Sequence, residues 1–222
     1  MKWTHCLMTA AVALAACTTD SYDKGEGANS RLRADFAELT VNADKRAVAF
    51  VTDDGDSYTL ARPVTAKWME TADTTYRTII YYNKVDNGQT ADVEAIGLMT
   101  TLRPADPHDY SNQPTDPLDV ESAWLTPNGK YINLGLLVKS GRDDEGTEGS
   151  HKLGLLCDET QHNSDQTTTA CYRLLHDQNQ TPEYYTNRQY VSILLPTAQR
   201  PDTVRLTINT YGGTEVRSFA LH

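Results

Sequence analysis

The residues best suited to chemistry in this sequence are His151, His176 and Asp177. They stand at the outer ends of two short apolar-rich segments, HKLGLLC (151–157) and CYRLLHD (171–177). An imidazole facing a carboxylate could ligate a metal or act as a base. All three cap strand ends where the chain turns polar, so they read as an exposed, solvated cluster and weak metal candidates. The loop SGRDDEGTEGS (140–150) concentrates carboxylates that could take up calcium, but it lacks the ordered ligand spacing of an EF-hand. Asp53 and Asp54 lie in a glycine-containing turn, where carboxylates more often solvate the chain than perform acid–base work. The sequence contains no HExxH, GxSxG, P-loop or GxGxxG. With no nucleophile beside the histidines, no catalytic residue is assigned, no cofactor is expected and the chain reads as non-enzymatic.

Four aromatic residues are candidates for binding. Trp68 lies in RPVTAKWMETADT (62–74), which reads as a short helix or wide loop plugging one end of a barrel. A barrel mouth is a place where ligands bind, although core packing is the commoner use of a tryptophan. Tyr184, Tyr185 and Tyr190 offer contact area at low entropic cost, or alternatively pack on a sheet face.

The thiols divide by position. In the opening stretch MKWTHCLMTAAVALAAC, Lys2 precedes an apolar run from Cys6 to Ala15, with small residues at Ala15 and Ala16 before Cys17. That is the layout of a secretory signal over residues 1–16, too short for a membrane span of about 20 apolar residues. Leu14-Ala15-Ala16-Cys17 resembles the lipobox read by lipoprotein signal peptidase, so Cys17 is the expected site of acylation and the attachment to the lipid bilayer. Residues 17–30 read as a polar, flexible tether. Asp20, Asp23 and Glu26 lie near the anchor, as acidic residues do in some Gram-negative lipoproteins exported to the outer face. The expected location is the outer membrane, with its surface and periplasmic faces both open.

Cys157 and Cys171 are the thiols left over, and in an oxidising compartment a disulfide is their expected pairing. Such pairing would set Leu155 opposite Arg173, Leu153 opposite Leu175 and His151 opposite Asp177. Closing the polar loop between the two would contribute about 3 kcal/mol in the chain-entropy model.

The elements that must position these groups are strands. Short alternating segments bounded by Gly, Asn, Asp and Pro recur along the chain, and helical periodicity is nearly absent, so the fold class is all-β. A first block, 31–103, carries five strands (32–41, 47–52, 57–60, 75–83 and 93–102) with an Asp54-Gly55 hairpin turn. This is the count of a small OB-like five-stranded barrel. Residues 104–117 contain four prolines and read as a linker. A second block, 118–222, carries about seven strands, enough for a C-terminal β-sandwich (119–124, 131–139, 152–157, 171–176, 188–195, 203–211 and 214–221). Gly212-Gly213 forms the last turn, and Val204, Leu206 and Ile208 mark a buried face. The 222 residues carry 20 Lys and Arg against 30 Asp and Glu, a net charge of −10 with no basic cluster, which disfavours nucleic acid as a partner.

Several segments of the second block are similar to the NigD-like lipoproteins of Gram-negative bacteria. They are Ala123-Trp124, the run Asn128 to Leu134, His151 to Gly154, Leu174 to Asp177 and the strand from Tyr190 to Pro196. The resemblance implies a lipid-anchored protein with an N-terminal OB-like barrel and a C-terminal sandwich, in a family proposed to supply bacteriocin immunity. It brings no catalytic residues, and the Cys157 and Cys171 pair is not part of its general pattern. The expected activity is therefore binding of a protein or peptide partner, with a carbohydrate-binding accessory role as the alternative.

Overall fold

The computed structural model describes residues 31–85 and 88–221. The signal, the acylation site Cys17 and the tether lie outside the described residues.

Five strands close into a barrel in the order β1-β2-β3-β5-β4: β1 (Arg33–Val41), β2 (Ala47–Thr52), β3 (Ser57–Val64), β4 (Thr74–Val85) and β5 (Thr90–Leu98). Strand alternation explains the closure. Ala37, Leu39 and Val41 of β1 point inward with Phe50, Tyr58, Ile80 and Tyr82. Phe50, Tyr58 and Tyr82 pack ring to ring at 4.9–5.2 Å between centroids. The Asp54-Gly55 turn forms as expected, with Gly55 at φ 90°. The segment after β3 is a loop and not a helix. Trp68 packs against the barrel core, edge-on to Tyr76 at 5.3 Å, and Met69 is buried beside it. It is a packing residue, partly buried against the barrel core.

Two four-stranded sheets follow: β13-β12-β10-β9 and β6-β11-β8-β7. Their strands are β6 (Thr100–Leu102), β7 (Asp119–Leu125), β8 (Tyr131–Ser140), β9 (Lys152–His162), β10 (Thr168–Asp177), β11 (Tyr185–Leu194), β12 (Thr203–Thr210) and β13 (Gly213–Ala220). Between them Ile132, Leu134, Leu136, Leu174, Val191 and Leu206 belong to one continuous core.

Three departures from the sequence reading bear on the site. The strand expected over 93–102 divides at the buried Met99, and β6 leaves the barrel to pair in parallel with β11. Residues 104–117 are tied to the sandwich. Ala105 bridges Leu156 and Thr115 bridges His176, flanking one 3-10 turn at Pro107–Asp109. Finally, the β9 and β10 hairpin continues through the expected loop, to His162 and Thr168.

Its register also differs. Cys157 faces Tyr172, Leu155 faces Leu174, and Lys152, not His151, faces Asp177. An irregularity between Cys171 and Tyr172 leaves Cys171 opposite Glu159. The expected disulfide is corrected accordingly, because Cys157 and Cys171 are free thiols. Tyr172 points into the sandwich core and Cys157 packs against that core beside it. Cys171, one residue along, therefore turns to the opposite face.

Sheet β6-β11-β8-β7 is covered on both faces. Ile132, Leu134, Leu136 and Val138 enter the sandwich core, while Tyr131, Asn133 and Ser192, of opposite parity, meet the barrel. That two-sided burial is why six consecutive residues of β8, from Tyr131, are buried.

Candidate functional site

The barrel docks on the sandwich through the outer faces of β1 and β4. At the centre stands Arg77 of β4, almost fully buried. Its Nη1 and Nη2 donate to the two carboxylate oxygens of Asp53 at 2.6 and 2.7 Å, Nε to Ser192 Oγ at 3.0 Å, and Nη2 also to Asn133 Oδ1 at 3.1 Å. Asn133 Nδ2 donates to Asp53 at 2.9 Å and Ser192 Oγ to Asn133 Oδ1 at 2.7 Å, so the ring of bonds closes. The guanidinium carbon also lies 4.1 Å from the centre of the Tyr131 ring. Such a fork of donors, satisfied at low dielectric and stacked on an aromatic, is a role that arginine and not lysine can fill. Asp53 is thus half of a buried ion pair, which corrects its reading as a turn-solvating acid.

Glu38 makes a second junction, accepting from Lys130 Nζ and, at 2.6 Å, from the Tyr131 hydroxyl. Burial alone would raise the Glu38 carboxyl. Hydrogen bonds from Lys130 and Tyr131, with the charges of Lys130 and Arg77, bring it below the ordinary value. Burial and the Glu38 carboxylate both push the Tyr131 phenol upward.

Beside this junction opens a groove of about 530 Å³. Phe36 and Trp124 stack at 5.7 Å between ring centroids, and Tyr190 meets Phe36 edge-on at 5.2 Å. Ile79 and Tyr81 of β4 form the barrel side. Asp35, Asp53 and Asp54 supply the polar part of the lining, which contains neither Lys nor Arg. Tyr190 is held by Gly135, its cross-strand partner. A Cβ on Gly135 would come within 3.3 Å of the Tyr190 ring and 2.5 Å of Ser122 Oγ, so only glycine lets the ring lie across the strand.

The other sequence candidates lie elsewhere. Tyr184 is 74% exposed, and the exposed Tyr185 donates its hydroxyl to Glu148 at 3.2 Å. Of the three tyrosines singled out, only Tyr190 lines the groove. His151 and His176 do meet, but with each other and not as a solvated cluster with Asp177. His176 is 2% exposed, and its ring stacks on His151 at 5.1 Å between centroids. His176 Nδ1 lies 3.0 Å from the Asp116 carbonyl, which can only accept, so that nitrogen carries a proton. His176 Nε2 then accepts from His151 Nδ1 at 2.8 Å, and His151 Nε2 faces Ser140 Oγ at 3.3 Å. The Ser140 hydroxyl can donate to or accept from His151 Nε2, so the chain closes with either arrangement at that end. Burial first, and His176 second, hold His151 below the usual imidazole value. Asp177 is engaged by Lys152 at 3.8 Å and by the Asn179 amide at 2.8 Å. In the loop 140–150, Asp143 Oδ1 accepts from the amides of Glu145 and Thr147. Among the described residues no group of three or more His, Cys, Asp or Glu is placed to hold a metal ion.

Sequence reasoning missed Phe36, Arg77, Asn133 and Ser192 as site residues. A signal was present in β8: the residues of non-core parity, Tyr131, Asn133, Gly135 and Leu137, carry no charge, which marks a face covered by something else.

A small closed barrel seated on the outer face of a two-sheet sandwich, with an aromatic and acidic groove at the seam, defines the class as two-domain, all-β, barrel-plus-sandwich proteins. The chain has the NigD-like fold. A NigD-like immunity protein from Bacteroides caccae is similar over 86% of this chain and 98% of its own, at 22% identity and TM-score 0.64. A protein described as toxin-related, from Parabacteroides distasonis, covers 85% of this chain and 92% of its own, at 16% identity and TM-score 0.62. One from Bacteroides fragilis, described as a lipoprotein, covers 86% and 98% respectively, at 12% identity and TM-score 0.59. No protein-family model and no curated protein matches the sequence.

Proposed function

We propose that this chain is a lipid-anchored outer-membrane protein, attached through Cys17, that binds a protein or peptide partner without catalysing a reaction, in the manner of a bacteriocin-immunity protein. The observation that carries the reading is the groove at the barrel–sandwich seam. It is concave, walled by Phe36, Trp124, Tyr81 and Tyr190, and preformed by the packing around Gly135 and Arg77. Concave aromatic sites between domains are where ligands concentrate, and preformed ones bind with little ordering cost. The fold shared with an immunity protein and with proteins described as toxin-related or as a lipoprotein supports the same role. Among the described residues no helix is long and apolar enough to cross a membrane.

The test is site-specific photocrosslinking in intact cells, with the crosslinking residue placed at Ile79 or Tyr190 and, as a control, at Tyr211, outside the groove lining. A discrete polypeptide adduct from the groove positions and not from Tyr211 is expected. Equal labelling at all three, or none at the groove, would remove the site. Cys17→Ala should release the protein from the membrane fraction.

A further inference from the structure

The groove has a one-sided charge that its own structure neutralises only at Asp53. Three carboxylates line it and no cation does. Arg77, behind the groove, directs its three guanidinium nitrogens to Asp53, Asn133 and Ser192, and the Asp53 side chain is only 14% exposed; Arg188, beside Tyr190, is paired with Glu121. Asp35 is different. It lies at the barrel rim, where Tyr82 donates to its Oδ2 at 2.8 Å and its Oδ1 is left able to accept, in a half-buried residue that lines the groove. Asp54 is exposed at the tip of the hairpin between β2 and β3, where Gly55 accepts the positive φ and Thr52 receives the turn amides. Among the described residues Asp54 makes no ion pair. Two carboxylates with capacity to accept therefore border a wall of aromatic faces, in a chain of net charge −10.

We propose that the groove receives a cationic segment of the partner, one whose arginine or lysine side chains lie along the Trp124 and Tyr81 rings and end on Asp35 and Asp54. This rests on the peptide-binding reading above and names the partner's chemistry. A guanidinium gains twice in such a place, from carboxylate acceptors and from ring faces, and it gains more where walls exclude water. A neutral sugar could stack on the same rings but would draw nothing from the charge, and an acidic polysaccharide or phosphate-rich ligand would be repelled. A volume of about 530 Å³ suits a side chain with its flanking backbone and is too small for a folded domain, so the docking element is an exposed loop or tail.

The test uses the purified full chain with Cys17→Ser and a fluorescent pentapeptide Arg-Gly-Arg-Gly-Arg, compared with its citrulline isostere, which keeps the shape and removes the charge. Tight binding of the arginine peptide alone is expected. Asp35→Asn with Asp54→Asn should weaken it roughly ten- to hundredfold, the range for lost charge-assisted hydrogen bonds. Asp144→Asn with Glu145→Gln, removing equal charge from the 140–150 loop, should change it less than about twofold. Should the Asp35 substitution disturb the barrel, Asp54→Asn alone, on the exposed turn, should still weaken binding severalfold. Equal binding of the citrulline peptide, equal loss in the loop variant, or binding of neutral glycans in place of the peptide would overturn the proposal. A groove crosslink to a partner without a cationic segment would overturn it too, while leaving peptide binding itself standing.

Discussion

Two buried polar networks hold this molecule, and they are built on opposite principles. At the seam, Arg77 faces Asp53, and each of its three guanidinium nitrogens has an acceptor. At the far end of the sandwich, Ser140, His151, His176 and the Asp116 carbonyl form a chain in which one imidazole bonds to the other. Permanent charge needs a complete cage because each ion has lost its water. In the imidazole chain, burial and the neighbouring His176 disfavour the charged form of His151. The seam should therefore be the stronger of the two, and the imidazole chain the one weakened when His151 takes up a proton.

The contrast can be broken most directly at Arg77. Arg77→Met leaves Asp53 buried without its partner and should lower the free energy of unfolding by about 3–5 kcal/mol in urea denaturation. The double change Arg77→Met with Asp53→Leu should recover much of that loss. A single-variant loss under about 1 kcal/mol would mean that the network does not carry the seam. Gly135→Ala strikes the groove wall next to the same network. Its Cβ would overlap Ser122 Oγ and press the Tyr190 ring, at a cost of about 1–3 kcal/mol.

Acid sharpens the comparison from the other side. Because the folded state holds His151 below its ordinary value, the unfolded chain takes up the proton first as pH falls through about 6.5. Stability should fall with decreasing pH from there until the folded-state value is passed. His151→Gln should flatten that slope while Arg77→Met keeps it. Glu38 acts in a lower window: its depressed value gives stability that is present above about 4.5 and lost as pH falls through the folded value. A slope unchanged in His151→Gln would separate the acid response from the imidazole chain. The smallest effect is expected from reductant. With Cys157 and Cys171 as free thiols, dithiothreitol should move stability by less than about 0.5 kcal/mol, whereas a disulfide would be worth about 3 kcal/mol.

What was legible in the sequence was local. Alternation and turn chemistry marked the barrel and sandwich strands and the Asp54-Gly55 turn, because each depends on residues a few positions apart; the last hairpin falls one residue earlier than read, with Tyr211-Gly212 as its loop and Gly213 opening β13 opposite Thr210. Register was less accessible. The symmetric look of HKLGLLC and CYRLLHD invited a Cys157–Cys171 pair, but an irregularity beside Cys171 shifts the partners, and alternation alone cannot reveal an inserted residue. The site was least legible. Arg77 finds Asn133 and Ser192 across 56 and 115 residues, and neither residue type announces such a contact. His151 and His176 were rightly paired in space, yet the polar character of the strand ends concealed that His176 is buried.

The three-residue strand β6 has a consequence for the order of assembly. During synthesis from the N-terminus the five barrel strands emerge together and can close on one another. Thr100 to Leu102 must wait for β11, about ninety residues later, before they have a sheet to join. Until then the outer faces of β1 and β4, including Arg77, lack the surface that satisfies them. The barrel is thus the early product of folding, and the seam with its groove is the last part to be made, complete only when the sandwich strands have arrived.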